Sequence, residues 1–133
     1  MADRTKGVLL DSSVVIAYLR GRLDLREKVA PNEPLFLPLV ALGELYKGAL
    51  KSQRPSENLA RINQLMAVMA VLNPDASTSM KYAETATELE RRGELIPEND
   101  LWIAALALEC DIPLATRDAH FARVPGLTVL DWS

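Results

Sequence analysis

Four acidic residues are placed where their side chains could do chemistry together: Asp11, Glu44, Asp100 and Asp118. Asp11 directly follows the apolar run 8–10, and Asp118 follows another such run at 114–115. Glu44 and Asp100 each lie in a segment that is otherwise apolar. Carboxylates brought together repel one another unless cations offset their charge, and oxygen ligands of this kind select Mg²⁺ or Mn²⁺. Such ions support the hydrolysis of phosphodiester bonds, in which no side chain has to act as the nucleophile.

Each acid also has an ordinary structural explanation. Asp11 and Asp118 occupy positions where aspartate commonly caps a helix or stabilises a turn. Glu44 could lie on a solvated helix face, and the helix dipole favours an acid such as Asp100 in a first turn. Asp100 nevertheless shares a helix face with the apolar Ile103, which predicts that it points toward the sheet. The sequence leaves both explanations open, and a capping residue can also be a ligand.

Three further polar side chains lie close to these acids in sequence. Ser13 and Thr116 carry hydroxyls that could orient water or a phosphate, although such residues more often serve as caps or turn residues. His120 follows Asp118 by two positions. We favour a structural or substrate-contacting role for His120 over general-base catalysis, because a metal-activated water needs no histidine.

Short apolar runs alternate with helical segments along the chain, and the runs predict buried strands. They lie at residues 8–10, 35–37, 68–72, 114–115 and 127–130. Strands that alternate with helices predict a mainly parallel sheet covered on both faces. Ligands of such sheets bind at the carboxyl ends of the strands, where Asp11 and Asp118 would lie.

Helical spacing between the runs predicts the remaining elements. Helices are expected at 39–50, from an N-cap at Ser56, from after Pro74 to Arg92 with Gly93 closing it, and at 101–110 after an N-cap at Asn99. The inner face of the second helix is expected to contain Leu59, Ile62, Leu65 and Met69.

Composition limits the classes of protein that fit. The chain has 133 residues, 49% hydrophobic and 25% charged, which predicts one globular domain over residues 1–133. No run approaches the roughly 20 apolar residues of a membrane span, and the single cysteine favours a cytoplasmic location. The net charge of −3 argues against a general polycation that coats nucleic acid. A nucleic-acid substrate would therefore have to meet a local basic rim.

Taken in order, several segments resemble a PIN domain, and more closely the VapC-type toxins of VapBC toxin–antitoxin modules. They are residues 9–19 (LLDSSVVIAYL), 43–45 (GEL), 97–107 (PENDLWIAALA) and 114–121 (LATRDAHF). Each segment alone is weak evidence, but the ordered set is specific. The similarity extends over essentially the whole chain.

This resemblance implies a three-layer α/β/α sandwich and an endoribonuclease that depends on Mg²⁺ or Mn²⁺ and acts as a toxin. It places the active site at the four acids, all of which are present. Asp11 and Asp100 match the positions most often assigned to the metal, and Glu44 and Asp118 complete the cluster. Thr116 and Asn99 match positions that support the site by hydrogen bonding, and Ser13 is expected to support it as well.

Partners are also implied by the resemblance. The toxin would form a homodimer and bind a VapB-type antitoxin, giving a heterotetramer or a larger complex. The C-terminal peptide of the antitoxin would lie over the active-site groove, and the antitoxin would supply the DNA binding of the complex. RNA would be the substrate.

Two other classes of protein remain as alternatives. A phosphoaspartyl phosphatase or receiver would also place an aspartate after a strand, but Ser13 occupies the second position of the expected Asp-x-Asp pattern. The acidic pair of a receiver is missing as well. A non-catalytic binding module would use the acids as caps and would dock a partner through apolar residues. Candidates for such a surface are Tyr46, Met66, Met69 and Trp102.

Overall fold

A five-stranded parallel sheet forms the centre of the protein in the computed structural model, which describes residues 6–133. The strands are β1 (Val8–Leu10), β2 (Leu35–Pro38), β3 (Ala70–Leu72), β4 (Leu114–Thr116) and β5 (Val129–Asp131). They lie in the order β3-β2-β1-β4-β5, and every neighbouring pair is parallel. All three residues of the central strand β1 are completely buried, as expected for a strand covered on both faces.

Helices connect the strands and flank the sheet. They are α1 (Ser12–Leu19), α2 (Leu25–Lys28), α3 (Leu39–Leu50), α4 (Pro55–Met66), α5 (Ala76–Arg92) and α6 (Glu98–Cys110), with a 3₁₀ helix at Ala119–Arg123. This arrangement confirms the predicted α/β/α sandwich with a parallel central sheet. None of the helices within residues 6–133 is both long and apolar enough to cross a bilayer.

Helix α6 packs closely in the core because its inner residues are small. Ala104, Ala105 and Ala107 are each no more than 1% exposed. Aliphatic side chains fill most of the core around them, joined by the aromatic rings of Phe121 and Trp132. Only 5% of the residues in the chain are aromatic, and the composition of the core agrees with this low fraction.

Two predicted helix starts were wrong. Helix α4 begins at Pro55, with Arg54 at the N-cap, so Ser56 lies inside its first turn. Proline is favoured at this position because its missing N–H would be unpaired there in any case. Helix α6 begins at Glu98 with Pro97 at the N-cap, so Asn99 also lies in the first turn and does not cap the helix.

Two strands also begin later than predicted. Strand β3 begins at Ala70 and strand β5 at Val129, each two residues later than predicted. The prediction that Met69 lies on the inner face of α4 was wrong, because this helix ends at Met66, although Met69 still packs against the core. Helix α3 and the end of α5 match the prediction, and Gly93 closes α5 with a left-handed φ of 67°.

Candidate active site

Asp11 is the most deeply buried of the four acids. It follows β1 directly and is 1% exposed. Its Oδ1 accepts a hydrogen bond from the backbone N–H of Ser12 at 2.8 Å, which makes it the N-cap of α1. Burial raises the pKa of the Asp11 carboxyl, hydrogen bonds from Ser13 and Thr116 oppose this rise, and repulsion by Asp118 adds to it. The ordinary explanation of Asp11 as a cap therefore holds, and it coexists with an electrostatic contact to a second acid.

Hydroxyl groups hold the other oxygen of this carboxylate. Asp11 Oδ2 accepts a hydrogen bond of 2.8 Å from Ser13 and another of 2.8 Å from Thr116. The same two hydroxyls accept hydrogen bonds from the backbone N–H groups of Arg117, at 3.1 Å, and Asp118, at 3.0 Å. Ser13 and Thr116 thus tie the loop after β4 to the start of α1, and they fix the backbone that carries Asp118.

Glu44 lies on α3, and its carboxylate is turned toward the other acids. Its Oε1 is buried and has no hydrogen-bond partner within the described residues. Burial raises the pKa of Glu44, and repulsion by Asp11 and Asp100 raises it further. The side chains of Ser12 and Asn99 lie close enough to oppose this rise. A buried, unpaired carboxylate oxygen is costly, so this atom is a candidate ligand for a cation.

Asp100 lies in the first turn of α6 and contacts His120 from the 3₁₀ helix. His120 Nε2 is 2.6 Å from Asp100 Oδ2, and the two side chains are only 25% and 13% exposed. Burial raises the pKa of Asp100, repulsion by Asp11 and Asp118 adds to the rise, and His120 opposes it. The contact with His120 was missed from the sequence, which indicated only that His120 and Asp118 are two residues apart.

The side chain of Asp118 does not act as a helix cap, which was its ordinary structural explanation. It occupies the N-cap position of the 3₁₀ helix, but its side chain accepts no capping hydrogen bond. Ligand atoms of Asp100, Asp118 and His120 instead all lie within 4.8 Å of one another. Three donors at this separation are close enough to coordinate one ion.

The structure brings all four predicted acids into one electrostatic cluster at the carboxyl edge of the sheet. Asp100 is repelled by Asp11 and Asp118, and Glu44 is repelled by Asp11 and Asp100. The donors are mostly carboxylate oxygens, one of them buried and unpaired, and this set fits a hard divalent cation. The supporting side chains Ser13 and Thr116 contact Asp11 directly, whereas Asn99 lies near Glu44. Their roles in catalysis stay a prediction at this point.

Comparison with known proteins supports the same class. The family model for the PIN domain matches residues 8–127 of this chain. The chain therefore belongs to the PIN-domain family, as its fold and acidic cluster indicate. Within that family it belongs to the VapC group, in agreement with the resemblance found in the sequence.

Individual relatives are similar over nearly their whole length. Ribonuclease VapC1 of Haemophilus influenzae (strain R2866) is 32% identical over 130 residues, which cover 94% of this chain and 97% of the relative. The tRNA(fMet)-specific endonuclease VapC of Shigella flexneri is 32% identical over 128 residues, covering 94% and 97%.

Solved structures agree with these matches. VapBC-1 of nontypeable Haemophilus influenzae superposes with a TM-score of 0.84 and 30% identity, covering 94% of this chain and 97% of that one. VapBC2 of Rickettsia felis, bound to a DNA fragment from its promoter, superposes with a TM-score of 0.88 and 26% identity, covering 95% and 98%.

Proposed function

We propose that this chain is an endoribonuclease that uses Mg²⁺ or Mn²⁺ to hydrolyse RNA phosphodiester bonds and acts as the toxin of a type II toxin–antitoxin system. The observation that carries the proposal is the acidic cluster at the carboxyl edge of the sheet, where Asp100, Asp118 and His120 present ligand atoms within 4.8 Å of one another. Asp11 and Glu44 lie close enough to repel Asp100 and complete the cluster. Membership of the VapC group, whose relatives include named ribonucleases, supports the choice of RNA as the substrate.

The residues that would hold the metal follow from the contacts. Asp100 and Asp118 present oxygens within one small volume, with His120 beside them. Glu44 contributes the buried, unpaired Oε1, and Asp11 completes the acidic set. When bound, the metal would supply an activated water and would neutralise the charge that develops on the phosphate.

The side chains around the acids prepare the site. Ser13 and Thr116 hold the Asp11 carboxylate in one orientation, because both hydroxyls donate to the same oxygen. His120 contacts Asp100 and limits the positions that this carboxylate can adopt. Fixed ligands keep the reacting groups aligned, which lowers the cost of reaching the transition state.

Partners follow from the same proposal. We propose a homodimer that binds a VapB-type antitoxin as a heterotetramer or larger assembly in the cytoplasm, with residues 1–133 forming one domain. A groove between α1, α3 and α4 begins at Glu44 and is lined by apolar side chains that include Ile16, Leu19, Leu45 and Ile62. An amphipathic segment of the antitoxin could bury its apolar face there and reach the acids.

Expression in cells tests the proposal. Wild-type protein produced without an antitoxin is expected to arrest growth and to generate new RNA ends, whereas Asp11→Asn is expected to do neither. Asparagine keeps the size of the side chain and can still cap α1, but it loses the charge needed for the cation. Equal toxicity of the two proteins at equal abundance would contradict the assigned site.

A further inference from the structure

Two lysines beyond Glu44, one in the last turn of helix α3 and one at its C-cap, have no ion-pair partner within residues 6–133. Lys47 and Lys51 are exposed, and they are four residues apart, so they lie on one side of the helix. Within residues 6–133, neither ammonium group lies within 4.0 Å of a carboxylate, whereas several other exposed cations do. These two charges are therefore available to an anionic ligand.

The lysines line an open groove that begins at the acidic cluster. Glu44 and Asn99 form its inner part, and Lys47 and Lys51 lie along its length. Gly43 and Gly48 line the groove between these side chains, and the space where a Cβ would lie is open at both, with no heavy atom within 4 Å. Because glycine has no side chain, the helix backbone is accessible from the groove at these two positions.

The charges around the groove indicate what it binds. The cluster repels a phosphodiester backbone, and the chain as a whole carries a charge of −3, so a bound strand needs local cations. Lysine binds phosphate as a point charge. The second groove beside Glu44 contains Arg20 and Arg61, and the guanidinium of Arg61 donates a hydrogen bond to the Leu19 carbonyl. That groove is lined by apolar side chains such as Leu45 and Ile62, whereas the α3 groove presents two exposed lysines beside Glu44.

We propose that Lys47 and Lys51 bind backbone phosphates of the RNA strand on one side of the scissile bond, so that the groove along α3 is part of the substrate path. This inference rests on the proposed ribonuclease function. It identifies two substrate-binding residues outside the acidic cluster. The lysines act by attracting and aligning the strand, and the acids carry the reaction.

Salt-dependent binding tests this inference. The probe is a fluorescein-labelled single-stranded RNA of 12 nucleotides with mixed sequence, and anisotropy is measured in EDTA with an Asp11→Asn background so that the strand stays intact. Lys47→Gln/Lys51→Gln is expected to reduce the slope of log K against log salt by about 1.4, because each lost phosphate contact of a single strand removes about 0.7. At 50 mM salt, this change corresponds to roughly 10- to 100-fold weaker binding.

The matched control removes two lysines elsewhere. Lys81 is exposed on α5, and Lys6 precedes β1, where it lies 4.0 Å from Asp111. Lys6→Gln/Lys81→Gln makes the same change in net charge and is expected to keep nearly the parent slope. A slope for the α3 variant that equals the slope of this control would overturn the inference.

The kinetics of RNA cleavage distinguish a failure of this substrate path from a failure of the proposed nuclease function. With Mn²⁺ present and Asp11 intact, the α3 variant is expected to raise KM for the 12-nucleotide strand about tenfold or more, a larger change than its effect on kcat. A wild-type protein that cuts RNA, together with an α3 variant whose KM matches the lysine control, would contradict only the substrate path. A wild-type protein that binds RNA through these lysines but does not cut it would contradict the proposed nuclease and leave the binding role confirmed.

Discussion

The hydroxyl of Thr116 donates a 2.8 Å hydrogen bond to Asp11 Oδ2, joining two residues that are 105 positions apart in the chain. The contact forms because β1 and β4 are neighbouring parallel strands, with Leu10 paired to Ala115. Asp11 and Thr116 are each only 1% exposed. The same hydroxyl accepts a hydrogen bond from the backbone of Asp118. Two of the four acids thus depend on one buried oxygen atom.

Thr116→Val is expected to reduce stability and activity together. Valine keeps the shape of threonine but removes the partner of Asp11 and of the Asp118 N–H, and a buried unpaired group costs about 1–3 kcal/mol. Urea denaturation in EDTA measures the loss. Thr87→Val is the matched control, because Thr87 is exposed on α5 and its hydroxyl bonds only to carbonyls of its own helix. Equal effects of the two substitutions would contradict the role given to Thr116.

Glu44→Gln is expected to stabilise the metal-free protein while it abolishes cleavage. Removal of the charge relieves the cost of burial and the repulsion by Asp11 and Asp100 that raise the pKa of Glu44. The melting temperature in EDTA should rise by about 2–5 °C, which corresponds to a gain near 1 kcal/mol for a chain of this size. Glu90→Gln, at an exposed position on α5, should leave both properties unchanged. A lower melting temperature for Glu44→Gln would indicate that the carboxylate has a structural role.

The difference in stability between Glu44→Gln and wild type is expected to depend on pH, because protonation of Glu44 is linked to folding. A carboxyl group whose pKa is raised on folding binds more protons in the folded state, so its contribution to stability is most favourable at low pH and declines as pH rises. The stability advantage of Glu44→Gln over wild type should therefore be smallest below the pKa of the unfolded chain. This advantage should increase as the pH rises from the pKa of Glu44 in the unfolded chain to its raised pKa in the folded protein. Above the raised pKa, the advantage should stay constant. Denaturation of both proteins across this range in EDTA measures the effect, and an advantage that grows toward low pH would contradict the assigned direction.

Much of the site could be predicted from the sequence, because strand ends and helical spacing determine where most of its side chains lie. Strand ends determine the positions of Asp11 and Asp118, and helical spacing turns Asp100 toward the sheet. The contact between His120 and Asp100 could not be predicted, because it depends on how a short 3₁₀ helix packs beside the start of α6. Local spacing carries no information about such a long-range contact.

Helix starts were less predictable for a related reason. Ser56 is a preferred capping residue, yet α4 begins at Pro55, because the first position of a helix suits proline. Asn99 is displaced in the same way by Pro97 and Glu98. Intrinsic capping preferences therefore predicted that a helix begins in each region but not the residue at which it begins.

The affinity for Mn²⁺ tests whether Asp100 and His120 bind the metal, without any measurement of cleavage. Asp100→Asn is expected to reduce the stabilisation by Mn²⁺ strongly, and His120→Gln should reduce it to a smaller extent. A saturating ion stabilises the folded state by about 2.7 kcal/mol at 100 times its Kd, so the rise in melting temperature with added Mn²⁺ is a direct readout. Asp24→Asn, at the N-cap of α2, provides a control outside the cluster. An undiminished Mn²⁺ response in Asp100→Asn would exclude Asp100 as a ligand.

In the proposed mechanism, the acidic cluster cleaves RNA with a divalent cation that is not needed for folding. The most direct test is cleavage of a labelled RNA by the purified protein in EDTA and after readdition of Mg²⁺ or Mn²⁺, with circular dichroism recorded in parallel. Asp11→Asn purified in the same way controls for contaminating nuclease. We predict that cleavage disappears in EDTA and returns with either ion, that Ca²⁺ competes without restoring turnover, and that the spectrum stays folded throughout. Robust cleavage in excess EDTA by the wild type, absent from Asp11→Asn, would contradict the metal mechanism.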